Sequence, residues 1–301
     1  MSPSVFQDII PQSRVRQQAM LCEYTTMRTG GPADYLIEAA SEEEICGVFQ
    51  RAQEENIPIF VMGNGSNLLF SDDGFRGVIL HIGKAFSAIK IDDASIDCQA
   101  GAMLSAVSRA AADHALAGME FAAGIPGSVG GAVCMNAGAY GGEIGQILES
   151  ARVWVNGKVE SWPCEQLKFS YRHSAIMEQE CIVISARFRL KPGNKEEILG
   201  CMHDLNKRRR EKQPLQYPSC GSFFKRPAGH YAGALIEQAG LKGFSVGDAQ
   251  VSSQHAGFVI NRGHATSRDI YQLMRHVQDT VYHRSGVLLE PEVKLIGHFE
   301  A

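Results

Sequence analysis

Two glycine-rich stretches are the parts of this 301-residue chain whose residue types point most directly to chemistry. The longer runs Phe121-Ala122-Ala123-Gly124-Ile125-Pro126-Gly127-Ser128-Val129-Gly130-Gly131 and continues to Asn136-Ala137-Gly138-Ala139. Glycine at that density lets a backbone turn tightly and approach a ligand with no Cβ in the way. Successive backbone N–H groups in such a loop form a concave donor surface suited to an anion such as a pyrophosphate. Phe121, Ile125, Val129, Val133 and Met135 make the stretch too apolar for a flexible linker. The shorter stretch, Gly63-Asn64-Gly65-Ser66-Asn67, follows an apolar run at 57–62 that reads as a buried strand.

Other phosphate and catalytic motifs do not fit. A dinucleotide fingerprint at Gly63 lacks its third glycine, where Leu68 stands. Leu69-Phe70-Ser71-Asp72-Asp73-Gly74 then reads as a turn instead of a helix start, and no acidic residue follows a second strand about 20 positions on. There is no Walker A loop and no G-x-S-x-G elbow. The ten histidines show no ligand spacing, so no metal site is expected. Lys207-Arg208-Arg209-Arg210, flanked by Asp204 and Glu211, reads as a solvated helix face, with a local phosphate contact as the alternative. Taken singly, Arg172 reads as the partner of a neighbouring carboxylate and Ser222 as a turn serine. Glu292 lies in an apolar run, where an unpaired carboxylate is costly to bury, so a paired or functional role is favoured.

The elements that must hold these residues are mixed. Ser41-Glu42-Glu43-Glu44 fits a capping box ahead of Ile45, Val48, Phe49 and Ala52 at helical spacing. Strand-like runs are expected at 77–82, 88–92 and 95–100, and a small Ala-rich helix at 102–116. Asn156-Gly157 between apolar runs predicts a two-residue hairpin. Residues 182–190 alternate as a half-buried strand, and Lys191-Pro192-Gly193-Asn194-Lys195 is the best domain boundary. Helices are expected at 195–210, 230–239 (stopped by Gly240) and 268–283 (capped by Ser267, ended by Gly286), before a closing strand at 287–296. Strands and helices without strict alternation predict an α+β fold. The length suits more than one core. A formal charge of −4 gives no general affinity for nucleic acid or anionic membranes. No apolar run approaches the roughly 20 residues of a membrane span, and the first twenty residues do not read as a signal peptide. Eight cysteines without a C-x-x-C pair read as reduced, mostly buried thiols, which predicts a cytoplasmic location.

Taken together, the two glycine loops resemble the FAD-binding domain of the para-cresol methylhydroxylase/vanillyl-alcohol oxidase type, in which both wrap a pyrophosphate. Arg28-Thr29-Gly30-Gly31-Pro32-Ala33-Asp34 resembles the opening of that domain. Some relatives attach FAD through a histidine near this point; Pro32 follows the glycines here, which implies non-covalent FAD. The resemblance implies cofactor contacts from Gly63, Asn64, Gly65, Ser66 and Asn67, from Ala123, Gly124, Ile125, Pro126, Gly127, Ser128 and Gly131, and from Asn136, Gly138 and Val183.

Three further motifs occur in order. They are Tyr171-Arg172-His173-Ser174, Pro218-Ser219-Cys220-Gly221-Ser222-Phe223-Phe224-Lys225 and Leu289-Glu290-Pro291-Glu292-Val293-Lys294. With the loops they are similar to the UDP-N-acetylenolpyruvoylglucosamine reductase family, over almost the whole chain. That resemblance implies an FAD-binding domain over 25–190 and a smaller α+β substrate-binding domain over 194–301, with the strand 287–296 returning to the active site. It implies NADPH as reductant and a UDP-sugar enol ether as substrate, in peptidoglycan precursor synthesis, with no obligate protein partner. Arg172 and a protonated Glu292 are implied to stabilise an enolate through the substrate carboxylate, and Ser222 to deliver the proton. Tyr171, His255 and Asn261 are the implied substrate contacts. Arg226 stands where the family usually has Asn. The chain resembles the shorter class of the family, because Leu190 passes at once into the 191–195 segment with no tyrosine-bearing insertion. An oxidase of the same fold, and a nucleotide-binding module without turnover, remain compatible with the glycine loops alone.

Overall fold

The computed structural model describes residues 3–299. Its packing divides into two units, and the chain passes between them five times. Among the described residues one unit holds 3–17, 35–64 and 77–209; the other holds 18–34, 65–76 and 210–299. The division falls at 209/210, inside a helix, and not at the expected 191–195 boundary. Lys191–Pro192 is a short strand that pairs with Leu116–Ala117, so the segment expected to be a linker is bonded into the first unit.

In the first unit a five-stranded antiparallel sheet runs in the order Lys158–Pro163, Leu148–Val155, Cys181–Arg189, Ser95–Gln99, Ile89–Asp92. Asn156 (φ 49°) and Gly157 (φ 80°) join the first two strands, the left-handed pair that a tight hairpin requires. Cys181–Arg189 is central, and Val183 on it is buried along with Ile182 and Ile184, so the strand is covered more fully than simple alternation predicts. A second sheet has the order Val15–Met20, Pro32–Glu38, Phe75–His81, Ile59–Met62, its last pair parallel. Helix α1 (Glu42–Glu54) starts at Ser41, whose side chain accepts from the Glu44 amide, and buries Ile45, Val48, Phe49 and Ala52. Phe49 meets Trp154 edge-on at 5.0 Å. Helix α2 (Leu104–Asp113) is shorter than expected, because Ala115 takes a positive φ. The six-residue α3 (Val129–Cys134) follows the long glycine loop, and α4 (Lys195–Lys212) completes the order.

The second unit contains α5 (Ala232–Gln238), α6 (Ser267–Ser285) and a four-stranded antiparallel sheet ordered Ser219–Ser222, Phe258–Asn261, Ala249–Val251, Ser245–Val246. The cap of α6 is Thr266, one residue before the expected Ser267. Thr266 and Asp269 satisfy each other's backbone N–H. The Asp72 carboxylate accepts from the next two amides, Ser267 and Arg268, at 2.8 and 2.9 Å. Gly286 (φ 72°) ends the helix as expected. Of the expected closing strand only Lys294–Ile296 forms, parallel to Leu68–Phe70. No helix among the described residues is long and apolar enough to cross a membrane.

Candidate functional site

Close approach explains Gly63, Gly65, Gly124 and Gly130 of the two loops. A Cβ at Gly63 would lie 2.1 Å from Ser128 Oγ, so the loops meet only because Gly63 has no side chain. Asn64 closes the clasp by donating its side-chain amide to Pro126 O at 2.5 Å. The long loop is tied down on its other side. Leu104 N donates to Gly127 O, Val129 N to Ala102 O and Gly130 N to Ala100 O. Ile125 packs on the core of the first unit.

A residue of the basic run joins this loop. A Cβ at Gly124 would lie 2.8 Å from Asn206 Oδ1 and 3.0 Å from Arg209 Nη1, so α4 lays Asn206 and Arg209 directly against the loop. Lys207, Arg208 and Arg210 are exposed, whereas Arg209 is half-buried. Burial pulls its guanidinium below the usual arginine range, opposed by the neighbouring Tyr140. The solvated-face reading therefore holds for three members of the run, and Arg209 is a cation beside the glycine loop. The sequence carried a faint signal: Asn206 and Arg209 are three apart, on one side of a helix. These residues fit a pyrophosphate-bearing cofactor, since glycines clear the approach and a partly desolvated arginine stands beside them.

The Tyr171-Arg172 pair forms the tip of a tight turn. Ser170 and His173 exchange backbone hydrogen bonds of 3.1 and 3.2 Å beneath it. Arg172 adopts φ 57°, a left-handed conformation uncommon outside glycine, and its Nη2 donates to Gly138 O at 3.2 Å. Its guanidinium stands 5.2 Å from the Tyr171 ring, which is half exposed. The result is a fixed planar cation of the kind that recognises a carboxylate.

In the second unit the structure brings Ser222 and Glu292 onto hydrogen-bonded neighbouring segments. The Glu292 amide donates to Phe223 O at 2.9 Å, the Lys225 amide donates to Glu290 O at 2.8 Å, and Phe224 bridges Pro291. Lys225 and Glu290 form an ion pair. Ser222 is exposed at the end of its strand, and the register shifts between Ser219 and Ser222. Gly221 at φ 75° lies inside that irregularity and turns the following side chain outward. Glu292 precedes its strand instead of lying in it, and is half-buried.

Several expected contacts have other partners. Asn67 donates its side-chain amide to Glu292 O at 3.0 Å and accepts from Lys294 N with its carbonyl, so it supports the glutamate's segment. Gly65 (φ 59°) sits against Tyr24, whose carbonyl a Cβ would approach to 2.1 Å. Both fall in the second unit with Ser66, whereas Gly63 and Asn64 fall in the first. Asn261, expected at the substrate, is 1% exposed and structural. It donates to Met27 O and accepts from Gly263 N and Ala265 N. His255 Nδ1 accepts from Gly257 N at 3.1 Å and its ring meets Phe258 edge-on. Burial pushes its pKa down. Val183 is a core residue paired with Val153. Arg226 stacks its guanidinium on the Tyr231 ring at 4.0 Å. No cluster that could hold a metal occurs among the described residues.

Comparison with known proteins bears on both regions. Residues 213–296 match a family model described as the UDP-N-acetylenolpyruvoylglucosamine reductase C-terminal domain, and residues 33–160 match an FAD binding domain model. The chain is 49% identical to UDP-N-acetylenolpyruvoylglucosamine reductase of Agathobacter rectalis, covering 96% of both. It is 48% identical to that of Streptococcus uberis, covering 95% of both. The crystal structure of UDP-N-acetylenolpyruvylglucosamine reductase from Thermus caldophilus superposes with a TM-score of 0.83 at 38% identity, over 94% of this chain and 99% of that one.

Proposed function

The chain belongs to the UDP-N-acetylenolpyruvoylglucosamine reductase family, and on that premise we propose how its own residues carry the reaction. The chain is an FAD-dependent oxidoreductase that uses NADPH to reduce the enolpyruvyl ether of UDP-N-acetylglucosamine to UDP-N-acetylmuramate, a step of peptidoglycan precursor synthesis. FAD, when bound, would supply the hydride chemistry that links NADPH to the substrate's vinyl carbon.

Gly63, Gly124 and the clasp between Asn64 and Pro126 would hold the cofactor's pyrophosphate segment, with Arg209 as the counter-charge. Hydride addition to a conjugated enol ether leaves negative charge on the α-carbon and the attached carboxylate. Arg172, already fixed by its turn, binds that carboxylate. Glu292 in its protonated form donates to the same group; an ionised Glu292 would repel it. Ser222 gives its hydroxyl proton to the α-carbon. A hydroxyl is a weak acid, so this works only against a strongly basic centre at contact distance. The observation that carries the assignment is the bond from the Glu292 amide to Phe223 O, which sets the glutamate's backbone beside the residue that follows Ser222. Substrate and reductant are small molecules, and the reading requires no protein or nucleic-acid partner. It places the work in the cytoplasm, in keeping with cysteines such as Cys98 and Cys220, whose burial pushes their thiols up to about 12.

The test uses purified protein. We expect a yellow flavoprotein whose NADPH oxidation depends on the enolpyruvyl UDP-sugar. A colourless protein that takes up no added FAD would end this reading. Oxygen-driven turnover indifferent to the UDP-sugar would favour an oxidase.

A further inference from the structure

We infer that Asn136 is a positioning residue for Arg172: its side chain locks the Tyr171-Arg172 turn to the segment that leaves the flavin loop. This rests on Arg172 being the carboxylate-binding cation. Asn136, expected as a cofactor contact, is instead 1% exposed, so its side chain has no surface to offer a ligand. Its two polar ends are spent in opposite senses. Nδ2 donates to Ser170 O at 3.1 Å, at the base of the turn, and Oδ1 accepts from Gly145 N at 2.9 Å. Asn136 itself has φ 42°, a conformation that asparagine tolerates better than most residues.

The surrounding bonds converge on one short run. Ser174, fully buried, donates its hydroxyl to Cys134 O at 2.7 Å and pins the other stem. Arg172 Nη2 donates to Gly138 O. The turn is thus held at both stems and at its head by residues 134–138, which run on from the last residue of α3 after the glycine loop. Such holding is needed because a left-handed arginine costs about 1 kcal/mol and persists only where its surroundings over-determine it. The task also selects the residue type. Aspartate could accept from Gly145 N but would set a carboxylate oxygen against Ser170 O, and an apolar residue could do neither.

Asn136→Asp and Ser174→Ala test this, each followed through two half-reactions. These are flavin bleaching by NADPH and flavin reoxidation by the enolpyruvyl UDP-sugar. For Asn136→Asp we expect flavin content and bleaching within about twofold of wild type and reoxidation slowed about 10–100-fold, the cost of a misplaced charge. In an Arg172→Ala background, Asn136→Asp should change reoxidation less than about twofold, since it then has nothing to position. Equal slowing of both half-reactions, or effects of the two substitutions that multiply, would overturn the inference. Ser174→Ala cuts the other stem and gives the same selective pattern, about 3–10-fold, where Asn136→Asp does not fold. Unchanged reoxidation in Ser174→Ala would count equally against it. If Arg172→Ala alone leaves reoxidation unchanged, the Arg172 assignment fails and takes this inference with it. If Arg172→Ala slows reoxidation while Asn136→Asp does not, only the positioning role fails.

Discussion

The Arg172 turn and the Ser222 strand end solve one problem in two ways. Both must aim a polar side chain away from its own backbone. At Arg172 the functional residue itself takes the left-handed conformation, φ 57°, and side-chain bonds from Asn136 and Ser174 hold it there. At Ser222 the preceding Gly221 takes it, φ 75°, and backbone bonds along Phe223–Lys225 fix the rest. The second arrangement carries no side-chain strain, because glycine accepts positive φ at little cost. The first confines a long, flexible side chain more tightly, since strain and anchors act on the arginine directly. An arginine must be stopped from searching, whereas a serine only has to be pointed.

The largest effect expected is at the serine. Ser222→Ala removes a proton donor without disturbing the ladder, so reoxidation by the UDP-sugar should fall about 10²–10⁴-fold. Bleaching by NADPH should stay largely intact, read by stopped-flow flavin absorbance. Equal loss in both would refute the donor role. The swap of glycine and strain comes next. Gly221→Ala meets no atom within 4 Å of the new Cβ, so its cost is conformational, about 1 kcal/mol. A melting temperature about 2–4 °C lower is expected, with reoxidation slowed about tenfold as Ser222 loses its aim. Arg172→Gly behaves oppositely. It slows reoxidation about 10²-fold while relieving strain, offset by the lost Gly138 bond and a freer unfolded chain. Its melting point should lie closer to wild type than that of Gly221→Ala. The reverse order would break the comparison.

Much of this was legible locally. The Ser41 cap, the Asn156-Gly157 hairpin and Gly286 at the end of α6 each depend on residues within one turn of one another, so the sequence states them openly. The glycine loops were legible for the same reason, as runs. What escaped were partners distant in the chain. Asn67 reaches Glu292 and Asn261 reaches Met27, 225 and 234 residues apart, and an asparagine's type does not say which carbonyl it will find. Thr266 caps α6 in place of Ser267 through its local box with Asp269, and what the sequence does not show is Asp72, from a remote turn, bonding the Ser267 and Arg268 amides. Arg209 was hidden among three exposed basic neighbours, and only burial separates it from them. The cysteines read as mostly buried, yet only Cys98 and Cys220 are; five are half-buried and Cys201 on α4 is exposed.

The smallest effect separates the two units by acid. His81 in the first and His255 in the second are both pushed below the usual histidine pKa, by burial in each case. His81 also faces Glu38 at 3.7 Å, which partly restores its charged form; at His255 a backbone hydrogen bond does so, with Glu237 set against Lys242. In the unfolded chain each takes up a proton near pH 6.5, and in the folded chain only at lower pH. Stability should therefore fall as pH drops through the window just below about 6.5 and level off beneath the folded-state values. Melting curves of His81→Gln and His255→Gln between about pH 7.5 and 5 should each lose part of that slope. If His255→Gln keeps the full wild-type slope, its ring is not held neutral by the fold. The bond from Gly257 N to Nδ1 would then be no constraint on the Ser222 strand's neighbour, Phe258.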